Sequence, residues 1–309
     1  MTTPEAPGHV PVLAREVVDL LDPRAGETYV DCTAGLGGHA ALIAPRLSPG
    51  GRVFLTDVDP ANLNAAAARV RAAAPGVEVG TLQVNFAVLP HELAARGVRA
   101  DLVLADLGFA STQVDDPARG LSFMREGPLD MRLDPTLPVS AAELVNSLAE
   151  SELVRILEEF GEERQARRVA RAMVAARAKS PLRTTTELAE VVRRVVPRSG
   201  PTDPATRTFQ ALRIAVNDEL GNLEALLAAV ERDGRSGSAG WLSGEARVGV
   251  ISFHSLEDRA VKEAFGRCTD GGWDEVSHGV VMAGEGEREA NPRARSAKLR
   301  VVRRAGAPK

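Results

Sequence analysis

Three aspartates and one cluster of glycines carry the chemistry that can be read from this chain. Asp31 closes a short β-rich run and is followed by Cys-Thr-Ala-Gly35-Leu-Gly37-Gly38-His39, which places three glycines in the next seven residues. Glycine has no Cβ, so a turn of this kind lets backbone approach a ligand closely, and the helix start that follows offers free amide donors. The same spacing fits a tight strand-to-helix turn that holds no ligand. It also fits a dinucleotide site, because Gly35-x-Gly37-x-x-Ala40 satisfies the relaxed fingerprint and Asp57 lies 22 residues after Gly35, where a ribose-binding acid would sit.

Two features favour a different nucleoside ligand. A carboxylate at Asp31, just before the glycines, would repel a pyrophosphate but can hold an ammonium group, directly or through water. A dinucleotide also needs a second mononucleotide-binding half, and the chain beyond Asp106 turns helical and leaves no room for one in sequence order. S-adenosylmethionine needs only one half. Asp57 is then the natural acceptor for its ribose hydroxyls, while Asp59-Pro60 reads better as a helix start.

The third acid, Asp106 in Leu104-Ala-Asp106-Leu-Gly-Phe109, ends the fourth β-rich run at the sheet edge where ligands collect. Enzymes that methylate exocyclic amines usually carry Asp or Asn here, then Pro-Pro and an aromatic residue. Here Asp106 and Phe109 occupy the outer places and Leu107-Gly108 the inner ones. The amine of cytosine or adenine is conjugated with its ring and a poor nucleophile, so an acceptor that localises the lone pair makes chemical sense. Asp106 can be that acceptor, a cofactor ligand, or a cap at a strand end.

The elements that must position these residues follow from periodicity. β-rich runs at 28–32, 51–57, 77–82, 100–106, 247–253 and 297–303 alternate with helical stretches such as 60–74, the pattern of a mostly parallel, doubly wound α/β sheet. The alternation lapses between about 140 and 230, where helix starts are signalled by Ser140-Ala-Ala-Glu143, Thr184-Thr-Thr-Glu187 and Asp203-Pro204. A discontinuous domain of residues 1–112 and 214–309, interrupted by a mostly helical insert of residues 113–213, is the expected organisation. The stretch 233–240 reads as a flexible surface loop leading back to the sheet.

Composition narrows the function classes. With 38 Lys and Arg against 42 Asp and Glu, a formal net charge of −4 argues against a protein that coats nucleic acid. Basic residues are nevertheless clustered: seven and no acid in 164–183, with Arg164, Arg168 and Arg171 on one helical face beside Arg167, and seven and no acid in 291–309, including Arg293 and Arg295. A solvated helix face explains such runs by default, yet two of them in an acidic chain fit binding to a phosphate backbone. Aromatic residues make up only 4%, so extensive base stacking is not expected. Cys32 and Cys268 have no ligand spacing and the histidines share none, so neither a disulfide framework nor a metal site is expected. No targeting segment and no apolar run of membrane-spanning length is evident, and a cytoplasmic, non-membrane protein is the expectation.

Taken in order, Gly37-Gly38-His39, Asp106-Leu-Gly108, Arg119-Gly-Leu-Ser-Phe123, Gly127-Pro-Leu-Asp-Met-Arg132, Gly161-Glu-Glu163, Ala205-Thr-Arg-Thr-Phe-Gln-Ala-Leu-Arg213, Ile251-Ser-Phe-His-Ser-Leu-Glu-Asp-Arg259 and Asn291-Pro-Arg-Ala-Arg-Ser296 resemble the bacterial 16S ribosomal RNA cytosine-N4 methyltransferase family. The resemblance runs from His9-Val-Pro-Val12 nearly to the C-terminus. It implies a class I S-adenosylmethionine-dependent methyltransferase fold, Rossmann-like with the inserted helical domain, and methylation of one cytidine amine in the decoding region of 16S rRNA within the small ribosomal subunit. It also implies cofactor contacts from Gly37, Gly38, His39, Asp57, Phe86, Asp106 and Gln113, to which the residue chemistry adds Asp31 and Gly35. His254, just past the fifth run, either touches RNA or is structural. Where the family usually shows Val-Ser-Ser-Pro after Asp-Leu-Gly, this chain has Phe109-Ala-Ser-Thr112. The expected reaction draws the cytidine out of its stack into a pocket formed by Asp106, Phe109 and the cofactor. A DNA amino-methyltransferase and a non-catalytic RNA-binding assembly factor are the alternatives, and a monomer and a dimer both fit.

Overall fold

A computed structural model describes residues 11–108, 113–114, 116–198, 200–235 and 240–305. Phe109 to Thr112, singled out above, lie outside them, as does His9. The chain divides into two compact units, one of residues 1–108 and 221–309 and the other of residues 109–220.

In the first unit the strands are β1 (Thr28–Asp31), β2 (Arg52–Thr56), β3 (Glu78–Leu82), β4 (Ala100–Asp106), β5 (Leu242–Ser252), β6 (Trp273–Glu275), β7 (Val281–Met282) and β8 (Lys298–Arg304). They form one sheet in the order β3-β2-β1-β4-β5-β8-β6, with β7 also pairing β8. β1 to β5 run parallel, and β8 enters antiparallel beside β5. The order reverses between β1 and β4, which makes the carboxyl ends of those two strands the topological switch point of a doubly wound sheet.

Strand periodicity explains the layers. Successive side chains point to opposite faces. On β4, Leu102 and Leu104 therefore join Tyr29, Val53 and Leu55 on one face, packed with the helices Ala14–Leu21, Gly38–Ile43 and Pro60–Ala73. Val103 and Ala105 face the other way with Val30, Val248 and Val250, against the helices Leu89–Ala95, Glu219–Arg235 and Ser255–Asp270. With both faces covered, the central strands read as apolar runs, as parallel strands do. The α/β expectation of a class I methyltransferase sheet holds.

Two details differ from the sequence reading. β5 begins at Leu242, five residues before the predicted 247. The predicted flexible loop begins inside the helix Glu219–Arg235. Asp233 in that last turn is buried, and its carboxylate accepts the Leu242 amide at 3.0 Å and Arg304 Nη1 at 3.3 Å. Gly240 is pressed against this group so closely that a Cβ there would lie 2.0 Å from Asp233 Oδ2. Turn-forming composition was legible, but the partner on β8 lies 71 residues away and leaves no local trace.

The second unit is helical around its own core. The helices Ala141–Ser147, Glu150–Glu159, Ala166–Arg177, Thr185–Val195 and Thr206–Asn217 bury Val145, Leu153, Leu157, Val169, Met173, Leu188, Val192, Phe209 and Leu212. Both predicted capping boxes form: Ser140 with Glu143, and Thr184 with Glu187. Asp203 accepts the Ala205 amide at 2.9 Å, but the helix starts only at Thr206. Among the described residues no helix is long and apolar enough to cross a membrane.

Removing the Asp233 carboxylate takes the counter-charge from a largely buried guanidinium, which keeps its bonds to the Ser243 and Asp233 carbonyls, and the acceptor from a buried amide. Asp233→Ala is expected to lower unfolding free energy by roughly 3–5 kcal/mol, read by chemical denaturation. A loss below about 1 kcal/mol would show that water or other groups satisfy Arg304 and Leu242 unaided.

Candidate functional site

The three aspartates singled out by sequence sit at the carboxyl ends of neighbouring strands. Asp31 ends β1 and Asp106 ends β4, while Asp57 follows β2 directly. The glycine turn is the segment between β1 and the helix Gly38–Ile43.

Asp31 is nearly inaccessible, at 2% exposure. Its Oδ2 accepts the hydroxyl of Tyr29 at 3.0 Å and its Oδ1 accepts the Thr33 amide at 3.2 Å. Burial is the dominant influence and pushes its pKa up to about 6, against the opposing pull of His39 and of the two hydrogen bonds. The carboxylate is thus held ready for a cation but pays a solvation cost until one arrives.

Asp57 organises the glycine turn. Its Oδ2 accepts the Gly35 amide at 2.9 Å and its Oδ1 the Asp59 amide at 2.8 Å. Burial raises its pKa, and those two bonds work against the rise. Asn62 Nδ2 also donates to Oδ2, at 3.5 Å, so of about four acceptor sites on the carboxylate one remains for a ribose hydroxyl. Asp59 turns away from any such role: it caps the helix Pro60–Ala73 by accepting the Ala61 amide at 2.9 Å.

Gly37 is required by packing. Its φ is +73°, and a Cβ would fall 2.8 Å from Cα of Ala66 in the helix Pro60–Ala73. The absent side chain lets two helices on one face of the sheet touch.

Asp106 and His39 complete the group. The Asp106 amide donates to Thr33 Oγ1 at 2.7 Å, tying the end of β4 to the residue that holds Asp31. His39 is 6% exposed, and its Nε2 stands 3.5 Å from Asp106 Oδ2, near but without a hydrogen bond. Both ring nitrogens of His39 and Oδ1 of Asp106 are buried and, among the described residues, have no hydrogen-bond partner. Orphaned polar atoms at a sheet's switch point are costly unless a ligand satisfies them. A ligand carrying an ammonium, ribose hydroxyls and an adenine fits this set of donors and acceptors, so the residues suit S-adenosylmethionine. Phe86 is half-buried against the apolar cluster of the opposite sheet face. Gln113, in the second unit, is buried.

The basic clusters fare differently. In the second unit, the helix Ala166–Arg177 buries Ala166, Val169, Ala170 and Met173 and exposes Arg167, Arg168 and Arg171, with Arg164 exposed just before it. Arg171 lies 3.8 Å from Glu150, both well exposed. That unit is not basic as a whole, because residues 109–220 contain 16 Lys and Arg against 17 Asp and Glu. The basic character of the insert is therefore local. In the C-terminal run, Lys298 and Arg300 both bind Asp258, Arg303 binds Asp274 and Arg304 binds Asp233. Burial raises the pKa of Asp258, but hydrogen bonds from Arg300 and Lys298 outweigh it and hold the pKa below its usual value. Arg295 is exposed and donates to the Arg288 carbonyl at 3.3 Å, while Arg293 is half-buried.

His254 has a structural task. It forms the capping box at the start of the helix Ser255–Asp270 with Glu257. Glu257 Oε2 accepts the Phe253 amide at 2.7 Å, and His254 Nδ1 accepts the Glu257 amide at 3.4 Å. Sequence reasoning also missed Tyr29 and Thr33; their hydroxyls, two residues either side of Asp31, are the only signal that could have found them.

The raised Asp31 pKa predicts a pH dependence. Between the unfolded value of about 4 and the folded value of about 6, the native state binds more protons, so this group's share of stability is lost as pH rises through that window. Its size is about 2–3 kcal/mol. Without cofactor, Asp31→Asn is expected to gain stability on wild type by that amount between pH 4 and 6.5, measured by urea unfolding at each pH. Parallel curves for the two proteins would place the titration elsewhere.

Comparison with known proteins gives one answer along the whole chain. Proteins called ribosomal RNA small subunit methyltransferase H from Sorangium cellulosum, Deinococcus radiodurans and Halorhodospira halophila are 48%, 46% and 47% identical to it. The alignments cover 98%, 99% and 97% of this chain and 93%, 93% and 95% of those relatives. The model of the MraW methylase family matches residues 6–305, and with the acids and glycines of such a site in place, the chain belongs to that family.

Proposed function

We propose that this chain methylates N4 of one cytidine in the decoding region of 16S rRNA, acting on the small ribosomal subunit in the cytoplasm. The observation that carries the reading is Asp106: a carboxylate at the switch point, tied to Thr33, whose Oδ1 is buried without a partner. An exocyclic amine needs such an acceptor. The names of the relatives support ribosomal RNA as the substrate.

S-adenosylmethionine is the cofactor, and when bound it supplies a methyl group activated by a sulfonium centre. Asp31 would hold its ammonium and Asp57 its ribose, with Gly35, Gly37, Gly38, His39, Phe86 and Gln113 completing the contacts. Asp106 accepts a hydrogen of the target amine and localises its lone pair, and the amine's proton leaves to Asp106 or to water. Since the electrophile comes ready-made, the protein contributes mainly orientation and exclusion of water. Arg164, Arg167, Arg168 and Arg171, together with Arg293 and Arg295, are the residues assigned to rRNA phosphates. His254 holds the start of its own helix.

Mass spectrometry of small-subunit rRNA from cells lacking the gene should show one N4-methylcytidine lost, restored by the wild-type gene. An unchanged level would exclude this substrate. In vitro, Asp106→Ala should reduce turnover by at least about 100-fold while rRNA binding survives; turnover near wild type would remove Asp106 from the chemistry.

A further inference from the structure

The buried group around Asp31 contains one residue that the reaction does not obviously require. Tyr29 is the only tyrosine in the chain. It is fully buried on β1, two residues before Asp31 and therefore on the same side of the strand, and its hydroxyl donates to Asp31 Oδ2 at 3.0 Å. Its neighbours on that face of the sheet are apolar: Val53, Leu55, Leu102 and Leu104. For packing alone, a phenylalanine would fill the same place without carrying a polar group into an apolar layer.

We propose that Tyr29 is a positioning residue for the cofactor: its hydroxyl fixes the orientation of Asp31 and favours its ionised form, so that the carboxylate is preset to receive the α-ammonium group of S-adenosylmethionine. This rests on the reading in which Asp31 holds that ammonium.

The geometry divides the Asp31 oxygens between two fixed donors. Oδ2 takes the Tyr29 hydroxyl and Oδ1 takes the Thr33 amide. Each oxygen keeps a lone pair, so the carboxylate plane is set before a ligand binds. Other titratable groups near Asp31 are Cys32, the residue after its strand, His39 on the helix Gly38–Ile43 and Asp106 on β4. Burial drives the Cys32 thiol well above its usual range, and burial together with Asp31 does the same to the Tyr29 phenol, so both stay protonated across the working range. A phenol that stays protonated is a permanent donor. It opposes the desolvation that lifts Asp31 to about 6, and without it that midpoint would move further up.

Binding of S-adenosylmethionine by calorimetry from pH 5.5 to 8.5 tests this in a double-mutant cycle of wild type, Tyr29→Phe, Asp31→Asn and the double variant. Tyr29→Phe should weaken binding about tenfold near pH 6.5 and move the midpoint of the pH dependence up by about one pH unit. In the Asp31→Asn background the same change should cost less than about twofold. Equal losses in both backgrounds, or an unmoved midpoint, would overturn the proposal and leave Tyr29 a packing residue. Because the chain has a single tyrosine, growth on 3-fluorotyrosine changes this phenol alone, exchanging one ring hydrogen for fluorine and making the hydroxyl more acidic. It leaves the ring in place and tests the idea even where Tyr29→Phe fails to fold. The more acidic phenol donates more strongly and should lower the midpoint, opposite in sign to Tyr29→Phe; a midpoint that stays put or rises counts against it. A wild-type chain that binds no S-adenosylmethionine at any pH would instead refute the cofactor role of Asp31 on which the inference stands.

Discussion

Burying the Asp31 carboxylate at the carboxyl end of β1 is the constraint to which the rest of the site answers. A charge removed from water must be satisfied by fixed donors or lose its ionisation. Here a hydroxyl from the same strand and an amide from the next turn supply the donors. Thr33, which gives that amide, also receives the backbone of Asp106 on its hydroxyl. The turn beyond it is held in turn by Asp57 through Gly35. One chain of hydrogen bonds thus links the ends of β1, β2 and β4, and a ligand touching one acid finds the others already placed.

This arrangement follows from parallel topology more than from any single residue. In a doubly wound sheet, the strands leave their carboxyl ends side by side and the connections part in opposite directions at the switch point. The gap opens between β1 and β4, where Asp31 and Asp106 end their strands. His39 reaches the same place because Gly37 lets its helix pack directly on the helix Pro60–Ala73. The buried imidazole beside Asp106 is a consequence of close helix packing, and among the described residues its nitrogens find no hydrogen-bond partner.

What the sequence made legible was whatever is encoded locally. Alternating apolar runs gave the sheet, Ser140 with Glu143 and Thr184 with Glu187 gave helix starts, and acids at strand ends gave the site, because each depends on neighbours within a few residues. Long-range partners were not legible. Asp233 looked like part of a loop until Arg304 supplied its counter-charge, and nothing local in the C-terminal basic run showed that Lys298, Arg300, Arg303 and Arg304 pair with Asp258, Asp274 and Asp233. The capping role of His254 was not legible either, because histidine is an unusual cap.

That neutralisation bears on how RNA would be held. With 16 basic and 17 acidic residues in 109–220, the second unit has no net field to draw in a polyanion from a distance. Exposed arginines on one helix act only within a Debye length, roughly 8 Å at physiological salt. Attraction of that range favours a substrate already shaped to meet the helix over any exposed strand of RNA. A folded ribosomal particle presents its phosphates in fixed positions, whereas free RNA would have to be ordered at an entropic cost that a handful of arginines offsets poorly.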